Sequence, residues 1–427
     1  MTVMQQQESW ITLAEILGPR SPWLRPLIER FGTPEAIFTA GEDMLREAFP
    51  DLGQGMLRAL CTRRGAEEAK RIYHWCHRNG VRVLCYGEAG YPTCLGSLDE
   101  PPAVLYCKGT LPDLAHSAAV GVVGSRRIDA YGQGVAYKLS FELSAAGVVI
   151  VSGMAEGIDG TATAAALAAG GRAIAVLGCG IDVVYPRHHQ KLAREVAESG
   201  ALVTEYPPGT PPNGYHFPVR NRLISALCDA LMVVQAPEPS GALITARYAI
   251  LQGRVLYTVP GDITSPLCTG SNRLLQLGAR PALCAEDVLS VLRPRYADAL
   301  NEADFREATQ YSAISEEGMR AYGVRFVGAQ AGAEEEKPAR AKRRRAESER
   351  SAPASEAPTG QRPNVDVSAL TPRQRQLYAM LPDTPFSVDV LVSGGVPVAE
   401  AISTLTVLEI YGLLSSKPGG LYVKNLI

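Results

Sequence analysis

From Val81 onward, short apolar runs alternate with glycine-rich turns and with longer stretches of helical periodicity. The runs Val81–Cys85, Ala118–Val123, Val148–Val151, Ala173–Leu177, Ala201–Thr204, Ala230–Val234 and Val255–Val259 predict strands. Their unbroken apolar character fits strands covered on both faces, which requires a parallel sheet with helices on each side. Helical spans are expected near 130–145, 158–169, 188–199, 241–252 and 271–278. This alternation predicts an α/β fold, a doubly wound Rossmann-like parallel sheet over residues 79–295.

The flanks read differently. Within residues 1–78, Trp10, Leu13, Ile16 and Leu17 share one helical face, and Trp23, Leu24, Leu27 and Ile28 share another. Gly18-Pro19, Gly32-Thr33-Pro34 and Asp51-Leu52-Gly53 break the periodicity, so a small helical domain of sterile-alpha-motif or helix-hairpin-helix type is expected. Residues 296–366 lose the pattern, and their Ala, Pro, Ser and charge leave little to bury, as in a disordered linker. Its run Lys342-Arg343-Arg344-Arg345 lies beside several glutamates and reads as solvated charge. Over residues 367–427, Thr371-Pro372 opens a helix, two more follow near Ser387–Val392 and Pro397–Tyr411, and a β-hairpin closes the chain. That is a winged-helix pattern. Its third helix carries Glu400 and Glu409 but no Lys or Arg, which favours protein contact over duplex reading.

Composition narrows the class. The 427 residues are 46% hydrophobic, enough for a large core. The nine cysteines never form Cys-x-x-Cys, so reduced thiols in a cytoplasmic protein are expected rather than a disulfide framework. The start MTVMQQQESW has no secretory character, and no apolar run approaches the ~18 residues of a membrane span. A net charge of −2 means that any affinity for nucleic acid must come from local placement of charge.

Open α/β sheets bind ligands outside the carboxyl ends of their strands, which makes the turns there informative. Gly124-Ser125-Arg126-Arg127 follows the second predicted strand. Gly124 allows close backbone approach, Ser125 and the free amides at a helix start favour an anion, and Arg126 and Arg127 add forked donors. Ser152-Gly153 offers a hydroxyl and an amide after the next strand, while Asp159 reads as an N-cap or a loop-fixing acceptor. In Gly178–Arg187, Cys179 reads as a buried thiol, and Tyr185 or Arg187 is better placed for a base or a phosphate. Arg220-Asn221-Arg222 stands at a helix entry, where Asn221 contacts ligand or orders the loop. Further turns at Ser240-Gly241 and Pro260-Gly261 face the same edge. Gathering arginines at one edge of a neutral core suits a phosphodiester ligand.

No catalytic constellation emerges. The six histidines form no metal motif, and Walker, Gly-x-Ser-x-Gly and Gly-x-Gly-x-x-Gly patterns are absent from their diagnostic positions. No cofactor, metal or catalytic residue is therefore expected.

Several strings, in this order, resemble the DNA-processing protein A family (DprA, also called Smf). They are Tyr91-Pro92, Pro101–Tyr106, Val123–Arg127, Ser152-Gly153 with Gly157–Asp159, Gly178–Asp182, Glu205–Gly209, Phe217–Arg222, Ser240–Ala246 and Val259–Gly261. The resemblance implies a non-enzymatic protein of natural transformation that binds and protects incoming single-stranded DNA, pairs as a homodimer through its Rossmann-like domain, and loads the recombinase RecA. It also implies that Gly124, Ser125, Arg126 and Arg187 hold phosphate, with Ser152, Gly153, Arg220 and Asn221 lining the same pocket. The rival is a nucleotide-processing hydrolase of the lysine-decarboxylase-like Rossmann group. That group carries Pro-Gly-Gly-x-Gly-Thr with a nearby Glu, whereas this chain has Ser240-Gly241-Ala242-Leu243-Ile244-Thr245 and no acid there.

Overall fold

The computed structural model describes residues 3–311, 314–327, 372–387, 389–394, 396, 401, 404–405, 408, 413–417 and 421–424. They fall into two compact units, Met1–Glu335 and Glu336–Ile427.

The first unit is built on nine strands: β1 (Val81–Cys85), β2 (Val104–Gly109), β3 (Ala119–Val123), β4 (Val149–Ser152), β5 (Ala173–Val176), β6 (Ala201–Thr204), β7 (Ala230–Val233), β8 (Val255–Thr258) and β9 (Arg280–Pro281). Their order is β1-β2-β6-β5-β4-β3-β7-β8-β9. Strands β3 to β9 pair in parallel, as the apolar runs predict. The β1–β2 and β2–β6 pairs are antiparallel and extend the sheet by a hairpin. Strand β2 was not among the expected strands; Pro101-Pro102 and Gly109 frame it with turn residues. The strands advance from β3 outward to β6 and then return to β7 on the other side of β3. The order therefore reverses between β3 and β7, which opens a crevice at their carboxyl ends.

The N-terminal helices share this unit's core rather than forming one of their own. Trp10, Leu13 and Leu27 bury in one cluster with Val83, Tyr106 and Ile150 of the sheet. Polar ties reinforce the joint: Trp10 Nε1 donates to Glu88 at 2.9 Å, and Arg20 pairs with Glu100 at 2.6 Å.

The segment expected to be linker from residue 296 carries two helices, Glu302–Tyr311 and Glu316–Ala321. Phe305 packs on the core, and Met319 is fully buried in it. The sequence between them is mostly polar, so the few apolar anchors stand out only once the helices Ala130–Ala145 and Ile158–Ala168 offer them a surface. The rest of the expected linker, with Lys342–Arg345, lies outside the described residues.

In the second unit, the helices Pro372–Met380 and Asp389–Ser393 and the antiparallel hairpin Leu414–Lys417 with Leu421–Lys424 surround Leu377, Leu381, Phe386, Leu391 and Leu413. The expected third helix is described only at residues 401, 404, 405 and 408, which are helical and buried. No helix among the described residues is long and apolar enough to cross a membrane.

Candidate nucleic-acid interface

Three loops and one helix meet at the carboxyl edge. The first loop follows β3. The Ser125 amide donates to the Gln235 carbonyl at 2.7 Å across the reversal point, and the Ser125 carbonyl accepts from the Ile158 amide at 3.1 Å. Gly124 has no room for a side chain, because a Cβ would stand 2.8 Å from the Gln235 carbonyl oxygen and overlap Ile158. Its glycine serves helix packing as much as ligand approach. The Ser125 hydroxyl is buried and accepts from the Arg127 amide at 3.1 Å, which shapes the turn and leaves the Arg126 and Arg127 side chains exposed.

The second loop follows β4. Ser152 is fully buried, its hydroxyl donating to the Val122 carbonyl at 2.7 Å, so it stitches β4 to β3 rather than facing a ligand. The Gly153 amide donates to Asp159 Oδ2 at 3.1 Å, and the Gly153 carbonyl accepts from Arg220 at 3.0 Å. Asp159 is thus a loop-fixing acceptor. A Cβ on Gly153 would come within 2.6 Å of that carboxylate.

The third loop carries Tyr185 and Arg187. His189 bonds the Met154 carbonyl at 3.1 Å and His188 lies 3.6 Å from Glu156, which seats this turn on the second loop. Arg187, just before them, is exposed.

The helix His216–Ala226 completes the edge. Phe217 enters against Gly178, where a Cβ would stand 2.9 Å from its ring. Arg126 lies over the Phe217 ring at 5.0 Å, Arg220 at 6.0 Å, and the Tyr185 ring is 5.4 Å away. Arg220 is 3% exposed and is held by the Gly153 and Val176 carbonyls and by Asn221 Oδ1. Asn221 in turn donates to the Gly241 carbonyl at 3.2 Å, so it orients Arg220. Burial pulls the Arg220 guanidinium down to about 10, with the Asp159 carboxylate opposing, and it stays a cation at neutral pH. Burial pushes the Asp159 carboxyl up, with Arg220 opposing. A buried cation with a single nearby acid, beneath an exposed arginine, favours an anion at this spot.

Of the residues singled out in the sequence, the edge brings together Arg126, Arg220 and Asn221, with Arg187 on the adjoining turn. It does not bring Arg222. Two positions beyond Arg220, that side chain points to the other side of the helix. It is buried and paired with Glu205 at 2.6 Å, both side chains under 5% exposed (4% and 3%). The edge also uses Phe217, which sequence reasoning passed over. Its signal was an aromatic residue placed just before Pro-x-Arg at a helix entry.

The fold and this edge define a class: Rossmann-like proteins that present arginines and aromatics from the carboxyl ends of a parallel sheet. A family model described as DNA recombination-mediator protein A matches residues 82–293, and one described as the DprA winged helix domain matches residues 351–420. The DNA processing protein DprA of Bacillus subtilis is 42% identical over 225 residues, 53% of this chain and 76% of the relative. Protein Smf of Escherichia coli is 42% identical over 268 residues, 59% of this chain and 71% of the relative. The X-ray structure of DNA processing protein A from Streptococcus pneumoniae superposes with a TM-score of 0.58 at 28% identity, covering 68% of this chain and 98% of that one. The chain belongs to the DNA-processing protein A (DprA/Smf) family.

Proposed function

We propose that this protein binds single-stranded DNA at the carboxyl edge of its sheet, without catalysing a reaction on it. One observation carries the reading: Arg126 and Arg220 converge on the Phe217 ring while Tyr185, 38% exposed, flanks it. Guanidinium groups take phosphates, and an exposed aromatic face takes a base of any identity. Binding of this kind depends little on sequence and weakens with salt as counterions are released. Glu205 is held by Arg222, and Asp159, the acid beside Arg220, is committed to Gly153 and Arg220. Neither carboxylate is offered for hydrolysis.

The family kinship extends the proposal. In the cytoplasm, the protein protects an incoming strand and passes it to RecA. Two copies associate through the Rossmann-like unit. Exposed Ile250, Leu251, Leu277 and Leu283, on the segments around the β8–β9 edge, supply apolar surface for that pairing.

Arg126→Ala is expected to lower affinity for an oligo-dT strand by about tenfold and to reduce the salt slope by about one. A gel-shift titration at several salt concentrations measures both, with duplex of equal length as the weaker competitor. Parent-like affinity and slope in Arg126→Ala would count against the edge as the binding site.

A further inference from the structure

Beyond the helix Glu316–Ala321 the chain doubles back as a strap, Tyr322–Val327, toward the DNA-binding edge. Two anchors fix where it lies. Gly323, with φ of +72°, sits so close to the Arg187–His189 turn that a Cβ would stand 2.5 Å from the His188 carbonyl oxygen. Two and four residues on, both ends of the Gln133 side-chain amide hold the strap: Nε2 donates to the Arg325 carbonyl at 2.6 Å, and Oε1 accepts from the Val327 amide at 2.6 Å. Gln133 is 1% exposed and stands in the first turn of the helix Ala130–Ala145, directly after the Arg126-Arg127 loop. Its amide also reaches Thr161, in the first turn of the helix Ile158–Ala168, at 3.5 Å.

The strap therefore runs from the turn that carries Arg187 to the helix that follows Arg127. Met319 of the preceding helix and the strap's own Val324 are buried, whereas Arg325 is exposed, with no ion pair among the described residues. A buried glutamine used to pin two main-chain groups is a costly arrangement for a mere connection, since both amide ends lose water. What it secures is a fixed position for residue 325. A cation on a pinned backbone loses little freedom when it meets a phosphate.

We propose that the strap is a second tier of the single-strand interface. Arg325 takes a backbone phosphate of nucleotides that pass over the Arg187 turn, and Gln133 acts as its positioning residue. This inference rests on the proposed binding of single-stranded DNA at Arg126. It adds a longer footprint, which the edge loops alone do not supply.

The test compares the full chain and its variants on oligo-dT of about 4 and about 16 nucleotides, at several salt concentrations. The short strand occupies the Arg126–Arg220 site only. Arg325→Ala keeps the carbonyl that Gln133 grips, so the fold is not at risk. It is expected to bind the long strand roughly tenfold more weakly, with the salt slope reduced by about one, and to bind the short strand as the parent does. Arg325→Lys restores most of the lost affinity. Gln133→Leu, which frees the strap, lowers long-strand affinity in the same selective way. If Arg325→Ala matches the parent on both lengths while Arg126→Ala loses affinity on both, the strap inference falls and the edge reading stands. If Arg126→Ala also matches the parent, the edge reading itself has failed.

Discussion

Arg222→Ala is expected to destabilise the first unit by about 3–5 kcal/mol while leaving the intrinsic single-strand affinity of the folded protein unchanged. Arg222 and Glu205 form an ion pair at 2.6 Å with both side chains under 5% exposed (4% and 3%). Removing the cation leaves a carboxylate that is already desolvated and has lost its main counter-charge. The pH dependence of the loss follows from that carboxylate. Burial already pushes the Glu205 carboxyl above its ordinary value, with Arg222 opposing, and deleting Arg222 removes the opposing charge. A carboxyl raised in the fold stabilises it fully only below the unfolded-state pKa, and that stability is lost as pH rises through the raised value. The variant should therefore come nearest to the parent in mild acid and fall furthest behind at neutral pH. Urea unfolding at two pH values measures this, and a binding titration at a temperature where the variant is folded completes it. A stable Arg222→Ala protein that has lost DNA affinity would return Arg222 to the DNA interface. The double variant Arg222→Met, Glu205→Leu should recover much of the stability, because apolar side chains of similar volume replace buried pairs at little cost.

Gly157→Ala is expected to cost more than about 3 kcal/mol and to lower single-strand affinity in whatever fraction remains folded. Gly157 has φ of +77° and ψ of −125°, a conformation that side chains avoid. A Cβ there would overlap the Ser125 carbonyl oxygen and stand 2.8 Å from that of Arg126. The clash is with backbone, so no rotamer change relieves it. The loop after β3 would have to move, carrying Arg126 off Phe217, which couples the stability loss to the binding loss. Thermal melts and the oligo-dT titration read the two effects. A melting temperature close to the parent's would show that the two loops are not packed as described.

Several parts of this molecule were legible in the chain because they depend on local pattern. Continuous apolar runs such as Val120–Val123 and Val149–Val151 specify strands covered on both faces, since only a parallel sheet between helices buries them on each side. Glycine- and arginine-rich turns after those runs mark the carboxyl edge, because parallel strands all end on the same side of the sheet. The placing of Arg126 and Arg220 near one another follows from those rules.

Other features were settled by tertiary structure, where the deciding quantity is which surface a side chain meets. Arg220 and Arg222 have the same chemistry two residues apart, yet helix rotation sends one to the edge and the other into a buried pair with Glu205. Ser152 and Gly153 look like ligand donors until strand pairing and Asp159 consume their hydroxyl and amide. Phe217 acquires its role only because Gly178 leaves space beside it for the ring. The described residues between 302 and 327 pack on the first unit because the helix Ala130–Ala145 offers a face to Glu302–Tyr311 and its Gln133 to Arg325 and Val327. Periodicity determined the layers of this protein and the edge at which its strands end, since burial patterns are written along the chain. The partners of individual polar groups were decided in three dimensions, since a hydrogen bond or an ion pair belongs to two segments at once.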